Sequence, residues 1–290
     1  MWPFGRRPDI EKLRRKRDVS GLIRALRYQS YEVIDPAADA LAELRESAAV
    51  EPLVGALRRR RLTGGGRHVI VALGELGDSR AVGPLLEVLR EQPFLSDDER
   101  NLAASALAKL GDHRALEPLM ILLEESQTAG EVLDAIASFG ETAVEPLIRV
   151  LVAGRRNSAY KAPAILATIG DKRAVGPLIS VLGYFEGPIA ASALARIGDQ
   201  QAIRPILHQL LKCQEEDHSI AQVNYVSPVF ERALGFARPL AALGDEGISA
   251  LIAAKNNDYV TVKKAAEHVL KEAGYQSDCS CGICNVLKVG

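Results

Sequence analysis

The chain has 290 residues, of which 48% are apolar, 5% aromatic and 25% charged, and its formal net charge is -1. Scarce aromatic residues and abundant helix formers favour stacked amphipathic helices over a β-rich or cofactor-enclosing fold. No apolar run approaches the roughly 18 residues needed to span a bilayer, so we expect a soluble cytoplasmic protein without a membrane span. Three of the four cysteines lie close together near the C-terminus, which excludes a dispersed secreted disulfide framework.

Charge is distributed unevenly along the chain. Residues 1–67 hold 15 Lys/Arg against 9 Asp/Glu, a net +6, whereas the remainder holds 21 against 28, a net -7. Arg58, Arg59, Arg60 and Arg61 form one basic run and are candidate partner-binding residues. A positive end suits nucleic acid, an acidic protein or an anionic membrane face. The same cations also suit a solvated helix face or a helix C-terminus, so both interpretations stay open.

The N-terminal segments predict short helices followed by a first helix pair. Residues 1–30 form a cap whose helices are expected over Pro8–Lys16 and Asp18–Arg27. A longer helix is expected to open at Asp35-Pro36 and to run to Leu44. Its partner is expected over Ala49–Leu57, because Pro52 fits the first turn of a helix.

The next stretch, residues 69–89, predicts two helices joined by a sharp corner. Val69, Ile70, Leu73 and Leu76 recur at the three-and-four spacing of one apolar helical face. Gly77 is expected to end that helix in the left-handed region, and the Asp78 side chain is expected to accept from the amides that open the next segment. Pro84 then fits the first turn of the second helix.

This corner returns along the chain and defines a repeat. The corner glycines are Gly77, Gly111, Gly140, Gly170, Gly198 and Gly244. Their spacings are 34, 29, 30, 28 and 46 residues, so an acidic and polar insertion over residues 212–226 interrupts the period. Because Asp and Arg recur once per corner, we interpret them as caps and inter-repeat ion pairs rather than as catalytic groups. The array is expected over residues 1–274, with a separate tail at 275–290.

The motif Gly-Asp-x-Arg-Ala-Val-x-Pro-Leu at Gly77–Leu85 recurs with variation at Gly111–Leu119 and Gly170–Leu178. It resembles the HEAT-like repeat of the phycobilisome-lyase type over nearly the whole chain. The resemblance implies an all-α fold, a right-handed α-solenoid of about seven antiparallel helix pairs whose second helices line a concave face. Members of the family act as scaffolds, chromophore-lyase subunits and iron hydroxylases. The hydroxylases bind metal through His-Glu pairs, and this chain has no His-Glu dipeptide.

The tail contains the strongest chemical signal outside the repeats. Cys281 and Cys284 have the Cys-x-x-Cys spacing that allows two thiolates to bind one tetrahedral zinc ion, and Cys279 is a third candidate ligand. A fourth ligand would have to come from Cys213, from a histidine such as His218 or His268, or from a second chain. A redox-active thiol pair and a disordered tail are the alternatives, and no other cofactor is expected.

These features favour a non-enzymatic scaffold that binds a protein partner through the concave face. The alternatives are a lyase-like or chaperone-like subunit that binds a tetrapyrrole and its acceptor protein, and nucleic-acid binding through the basic N-terminal repeats. Enzymatic activity stays open, although no nucleophile or acid/base set within the repeats supports it. Tyr184 and Phe185 are further candidate partner-binding residues, because they are aromatic and are expected in a turn between repeats.

Overall fold

The computed structural model is all-α in the residues it describes, as the sequence predicts. It describes residues 7–60, 66–90, 97–124, 130–154, 156–184, 187–213, 228–256 and 260–275. The tail cysteines and nearly all of the predicted insertion lie outside these residues. The chain forms two compact units, Met1–Ala143 and Val144–Gly290, and the predicted array is divided between them.

The first unit contains a short helix pair followed by the first repeats. Its helices are α1 Ile10–Arg15, α2 Val19–Ala25, α3 Tyr31–Leu44, α4 Val50–Arg60, α5 Arg67–Leu76, α6 Val82–Arg90, α7 Asp97–Leu110, α8 Leu116–Leu123 and α9 Gly130–Ser138. Helix α10, Glu141–Ala153, begins at the end of this unit and continues into the second. Each repeat therefore has an odd-numbered first helix and an even-numbered second helix from α3 onward.

The second unit continues the same alternation. Its helices after α10 are α11 Arg156–Ile169, α12 Val175–Ser180, α13 Gly187–Ile197, α14 Ile203–Lys212, α15 Pro228–Ala242, α16 Asp245–Lys255 and α17 Val260–Glu272. The described residues thus give seven helix pairs from α3 to α16, which agrees with the predicted number of repeats.

First helices form the continuous layer within each unit. Helices α3, α5, α7 and α9 pack in succession in the first unit, as α11, α13, α15 and α17 do in the second. Most second helices also pack against the first helix that follows, as α6 packs on α7 and α14 on α15. A Cβ added at Gly74 would lie 2.7 Å from the Ala106 Cβ, so the absence of a side chain permits the close approach of α5 and α7.

Five corners contain a single 3-10 turn before the second helix. Gly77 has φ 69° and the Asp78 side chain accepts from the amide of Arg80, as predicted for the corner glycine and its aspartate. The turn ends in an alanine that is fully buried in every case. These alanines are Ala49, Ala81, Ala115, Ala174 and Ala202.

Two corners lack the 3-10 turn because they are one residue shorter. The buried Ala81 is four positions after Gly77, whereas the buried Ala143 and Gly247 are each three positions after their corner glycines, Gly140 and Gly244. Helix α10 consequently begins at Glu141, directly after its corner glycine. At the last corner Asp245 is the first residue of α16 rather than a cap, so the resemblance of Gly244-Asp245 to the other corners is limited to the glycine.

The predicted start of α3 at Asp35-Pro36 is wrong. The helix begins at Tyr31, and Pro36 lies inside it. A proline within a helix leaves the carbonyl four residues earlier without its usual amide donor. That carbonyl belongs to Glu32, and the Arg7 Nη2 donates to it at 2.8 Å. An arginine from outside the helix therefore satisfies the group that Pro36 leaves exposed.

Candidate protein-binding surface

The charged corners are structural, as the sequence analysis proposes, but their ion pairs lie within one corner. Arg114 Nη2 is 2.6 Å from Asp112 Oδ2, and Arg80 Nη2 is 2.7 Å from Asp78 Oδ2. Hydrogen bonds from the arginine side chain and amide lower the pKa of both carboxyls to about 2. The contact between repeats is different: Arg80 Nη2 donates to the Ser47 carbonyl of the preceding corner at 3.0 Å.

The predicted basic run lies at the C-terminal end of α4. Arg59 Nη2 donates to the Leu26 carbonyl at 3.0 Å, so its guanidinium satisfies the end of α2. Arg58 is exposed and lies 3.7 Å from Glu87. The Arg60 side chain and Arg61 lie outside the described residues. The structure thus gives Arg59 a capping contact and leaves partner binding by the run as a prediction.

Tyr184 lies four positions after the last residue of α12 and is 65% exposed. Its carbonyl accepts from the amide of Gly187, the first residue of α13, at 3.0 Å. Phe185 lies outside the described residues, so the predicted aromatic pair is represented by Tyr184 alone.

The second helices share one sequence register, marked by a proline in the N-terminal half of every second helix except α16. The residue after the proline is fully buried in each. These buried residues are Leu53, Leu85, Leu119, Leu147, Leu178 and Ile206, with Leu251 at the same position of α16. The residue before the proline is exposed in each of these helices. The residue three positions after the proline is also exposed, except in α4, where Gly55 is half-buried. An outward stripe therefore recurs along the array.

The register position two residues after the proline differs between the units. In the first unit it is buried, with Val54 5%, Leu86 8% and Met120 9% exposed. In the second unit the corresponding residues are only half-buried. These residues are Ile148, Ile179, Leu207 and Ile252. The second unit therefore presents a row of partly accessible aliphatic side chains on its second helices.

Two polar features were not found by sequence reasoning. Glu99 on α7 is 4% exposed, and its Oε1 accepts from the Gly66 amide at 2.7 Å, at the start of α5. Arg238 forms two hydrogen bonds with Glu272, between α15 and α17, and lowers the pKa of that carboxyl. Both contacts join residues at least 33 positions apart, so no local pattern indicated them.

The metal prediction falls mainly on undescribed residues. Cys279, Cys281 and Cys284 lie outside the part of the chain that the structure describes, as does His218. His268 Nε2 is 3.2 Å from Glu272, and its ring stacks edge-on against Phe230. Cys213 is buried, and its Sγ donates to the Gln209 carbonyl at 3.4 Å. Among the described residues, no group of three His, Cys, Asp or Glu side chains has metal-binding geometry.

Comparison with protein-family models identifies two of the repeats. Residues 67–91 and 100–125 match the family model described as the PBS lyase HEAT-like repeat. These two stretches are HEAT-like repeats of the PBS lyase type. The two matches cover α5 with α6 and most of α7 with α8, which are two of the three repeats that carry the sequence motif. Among curated proteins, none matches the chain.

Solved structures that the chain matches include two distant ones. The complex of CpcE and CpcF of phycocyanin lyase from Nostoc sp. PCC7120 is 23% identical over 87% of this chain and 94% of that chain, with a TM-score of 0.42. Human deoxyhypusine hydroxylase in complex with glycerol is 17% identical over 92% of this chain and 99% of that chain, with a TM-score of 0.34. Similarity at this level does not establish a shared function.

No helix in the described ranges combines the length and the apolar character that crossing a bilayer requires.

Proposed function

We propose that the chain is a protein-binding subunit of the phycobilisome-lyase type, which holds an acceptor protein against the second helices of its repeats. One observation carries the proposal: the second helices repeat the same outward register, and in the second unit that register includes half-buried aliphatic residues. A rigid array of this kind offers many side chains to a partner with little loss of conformational entropy.

The family match supports the lyase-type reading over a general scaffold. The matching family model is described as the PBS lyase HEAT-like repeat, and both matched repeats contain a Gly-Asp-x-Arg-Ala corner. In the described residues, charged side chains at the corners form caps and ion pairs within the corner, as Asp112 does with Arg114. The proposed role is therefore to hold a protein and a tetrapyrrole together, with the repeat surface as the binding element.

The test combines a chromophore with protein capture. Purified chain is titrated with biliverdin while visible absorbance is followed, and immobilised chain is used to capture proteins from extract of the native cell. We expect a change in the bilin spectrum and capture of a protein that resists moderate salt. Capture without a spectral change would support a scaffold instead. Absence of both would overturn the proposal.

Nucleic-acid binding by the first unit is a second candidate, favoured by one feature. Arg59 from α4 reaches the C-terminus of α2, where Arg24 and Arg27 are also exposed, so cations of two helices lie at one edge. Such an edge predicts an affinity for an oligonucleotide that falls steeply as salt is raised, because phosphate contacts release counterions. Affinity that is absent or independent of salt would remove this candidate.

A further inference from the structure

We propose that the second helices α12, α14 and α16 of the second unit bind an acidic amphipathic helix of a partner protein. The inference rests on the proposed protein-binding function and names the surface and the chemistry of the partner. We call these three helices the α14 surface, because α14 carries its charged residues.

Helix α14 presents a basic stripe beside an apolar one. Arg204, His208 and Lys212 recur every four residues and are all exposed, so they lie along one face. Leu207 and Leu211 follow the adjacent row and are half-buried. The opposite side of α14 packs on α15. A polar stripe and an apolar stripe thus run side by side on the outward part of one helix.

The second helices before and after α14 carry an aliphatic residue at the same register position. Ile179 of α12 and Ile252 of α16 occupy the same register as Leu207, and α16 packs directly against α14. On α12 the exposed positions are Gly176 and Ser180, and a Cβ added at Gly176 would meet no atom within 4 Å. Small side chains there allow the backbone of a docked helix to approach Ile179 closely.

No described residue neutralises the basic stripe. Arg204, His208 and Lys212 form no ion pair or hydrogen bond through their side chains in the described structure. The exposed acidic residues of the α14 surface are Asp245 and Glu246, both in the first turn of α16, and neither pairs with Arg204. By contrast, Arg173 and Arg238 elsewhere in the unit are bonded to carboxylates. The stripe is therefore available to the carboxylates of another molecule.

These features together specify the occupant. An apolar row favours a partner with aliphatic residues at helical spacing, and the parallel cations favour glutamates or aspartates along one flank of that helix. Charge complementarity would fix the orientation of the partner and raise its rate of association. A lone polyanion would use the cations but not Ile179 or Leu207, whereas an uncharged helix would use the apolar row alone.

The test uses the full chain and two designed peptides of about 18 residues, long enough for roughly five helical turns. One peptide carries leucines on one face and glutamates on the flanks, and the other replaces every glutamate with lysine. Fluorescence anisotropy measures both affinities. We expect the glutamate peptide to bind at least about tenfold more tightly, and Arg204→Glu with Lys212→Glu to remove that preference.

Variants separate the apolar contribution from the charge. Ile179→Ser with Leu207→Ser should weaken binding of the glutamate peptide by roughly tenfold. The matched control is Lys263→Glu with Lys264→Glu, which reverses two exposed charges on α17, outside the α14 surface. It should change the affinity for the glutamate peptide by less than about twofold. Circular dichroism of each variant verifies that the helices remain formed.

Several results would overturn the assignment. Equal affinity for both peptides, or binding unaffected by Ile179→Ser with Leu207→Ser, would exclude an acidic amphipathic helix at this surface. Binding of a thymidine oligonucleotide that depends on Arg204 and Lys212 but not on Ile179 would instead indicate a nucleic-acid site. Self-association of the chain, seen as concentration-dependent sedimentation, that is lost in Arg204→Glu with Lys212→Glu would identify a second copy of the chain as the occupant of this surface. Capture of a native protein that all these variants retain would leave the proposed function intact and remove only this surface.

Discussion

The second helices of the two units carry the same repeat and present different surfaces. On α4, α6 and α8 of the first unit, the outward positions include the exposed glutamates Glu51, Glu87 and Glu117, and the apolar residue two positions after the proline is buried. On α12, α14 and α16 the same positions are small or basic, and Ile179, Leu207 and Ile252 are half-buried. The comparison shows that the repeat specifies the fold, while function is expected where its outward positions depart from the common pattern.

The largest expected effect distinguishes a buried aliphatic residue from its half-buried counterpart. Leu86→Ala removes a side chain that is 8% exposed and should destabilise the first unit by about 2–3 kcal/mol. Ile179→Ala, at the same register position in the second unit, should destabilise that unit by only about 1 kcal/mol, because the half-buried Ile179 side chain buries less apolar area on folding than Leu86 does. Hydrogen exchange in urea, followed by peptide mass spectrometry, measures each unit separately. Equal losses would contradict the difference in burial between the two units.

A second prediction concerns the corner that lost its glycine. Arg45 ends α3 with φ 53°, whereas Gly170 and Gly198 occupy this position in the second unit. A left-handed non-glycine residue costs roughly 1–2 kcal/mol, so Arg45→Gly should stabilise the first unit by about 1 kcal/mol after the gain in unfolded-chain entropy. Urea denaturation provides the measurement. Arg24→Gly, which places the glycine within helix α2, should destabilise and serves as the control.

The decrease in the free energy of unfolding at acidic pH should depend on the corners whose aspartate is bonded to an arginine. Hydrogen bonds from Arg114 hold the pKa of Asp112 at about 2, below its ordinary value of 3.8. A depressed carboxyl pKa stabilises the fold above about pH 4, and that contribution is lost as pH falls from 4 towards 2. Asp112→Asn should therefore flatten the decline in stability over this interval.

The matched variant for that measurement is Asp199→Asn in the second unit. Asp199 accepts from the amide of residue 201 in the same way, but this residue is Gln201 rather than arginine. Asp199→Asn therefore removes a side-chain cap without removing an arginine ion pair, and it is the control for loss of the cap itself. An identical change in both variants would show that the backbone cap, and not the arginine, determines the acid response.

Much of the fold is encoded locally and could therefore be predicted. Gly77 and Asp78 act through their own backbone conformation and nearest amides, so their roles follow from residue type alone. The start of α3 could not be predicted, because the group that compensates for Pro36 is Arg7, outside the helix. The half-buried row at Ile179 and Leu207 was also missed. Its residues are as apolar as their buried counterparts, and exposure depends on how neighbouring repeats pack.

The smallest expected effect on the fold belongs to the cysteine tail. The sequence-based hypothesis is that Cys279, Cys281 and Cys284 bind zinc, since thiolates at this spacing suit a tetrahedral ion. Reduced, unchelated protein should then contain sub-stoichiometric zinc by atomic emission, and Cys281→Ser should remove it while leaving the helical signal unchanged. Cys213→Ser, at a buried thiol that bonds to Gln209, is the control. Protein free of zinc would reject the hypothesis.

Site-specific photo-crosslinking tests the central claim most directly. A benzophenone amino acid is placed at Ser180 in the second unit or at Glu87, the same register position of the first unit, and the protein is irradiated in its native cell. We predict a discrete protein adduct at Ser180 that disappears when Leu207→Glu is added, and little or no adduct at Glu87. Equal adducts at both positions, or an adduct at Ser180 that persists with Leu207→Glu, would contradict the assignment of binding to the second unit.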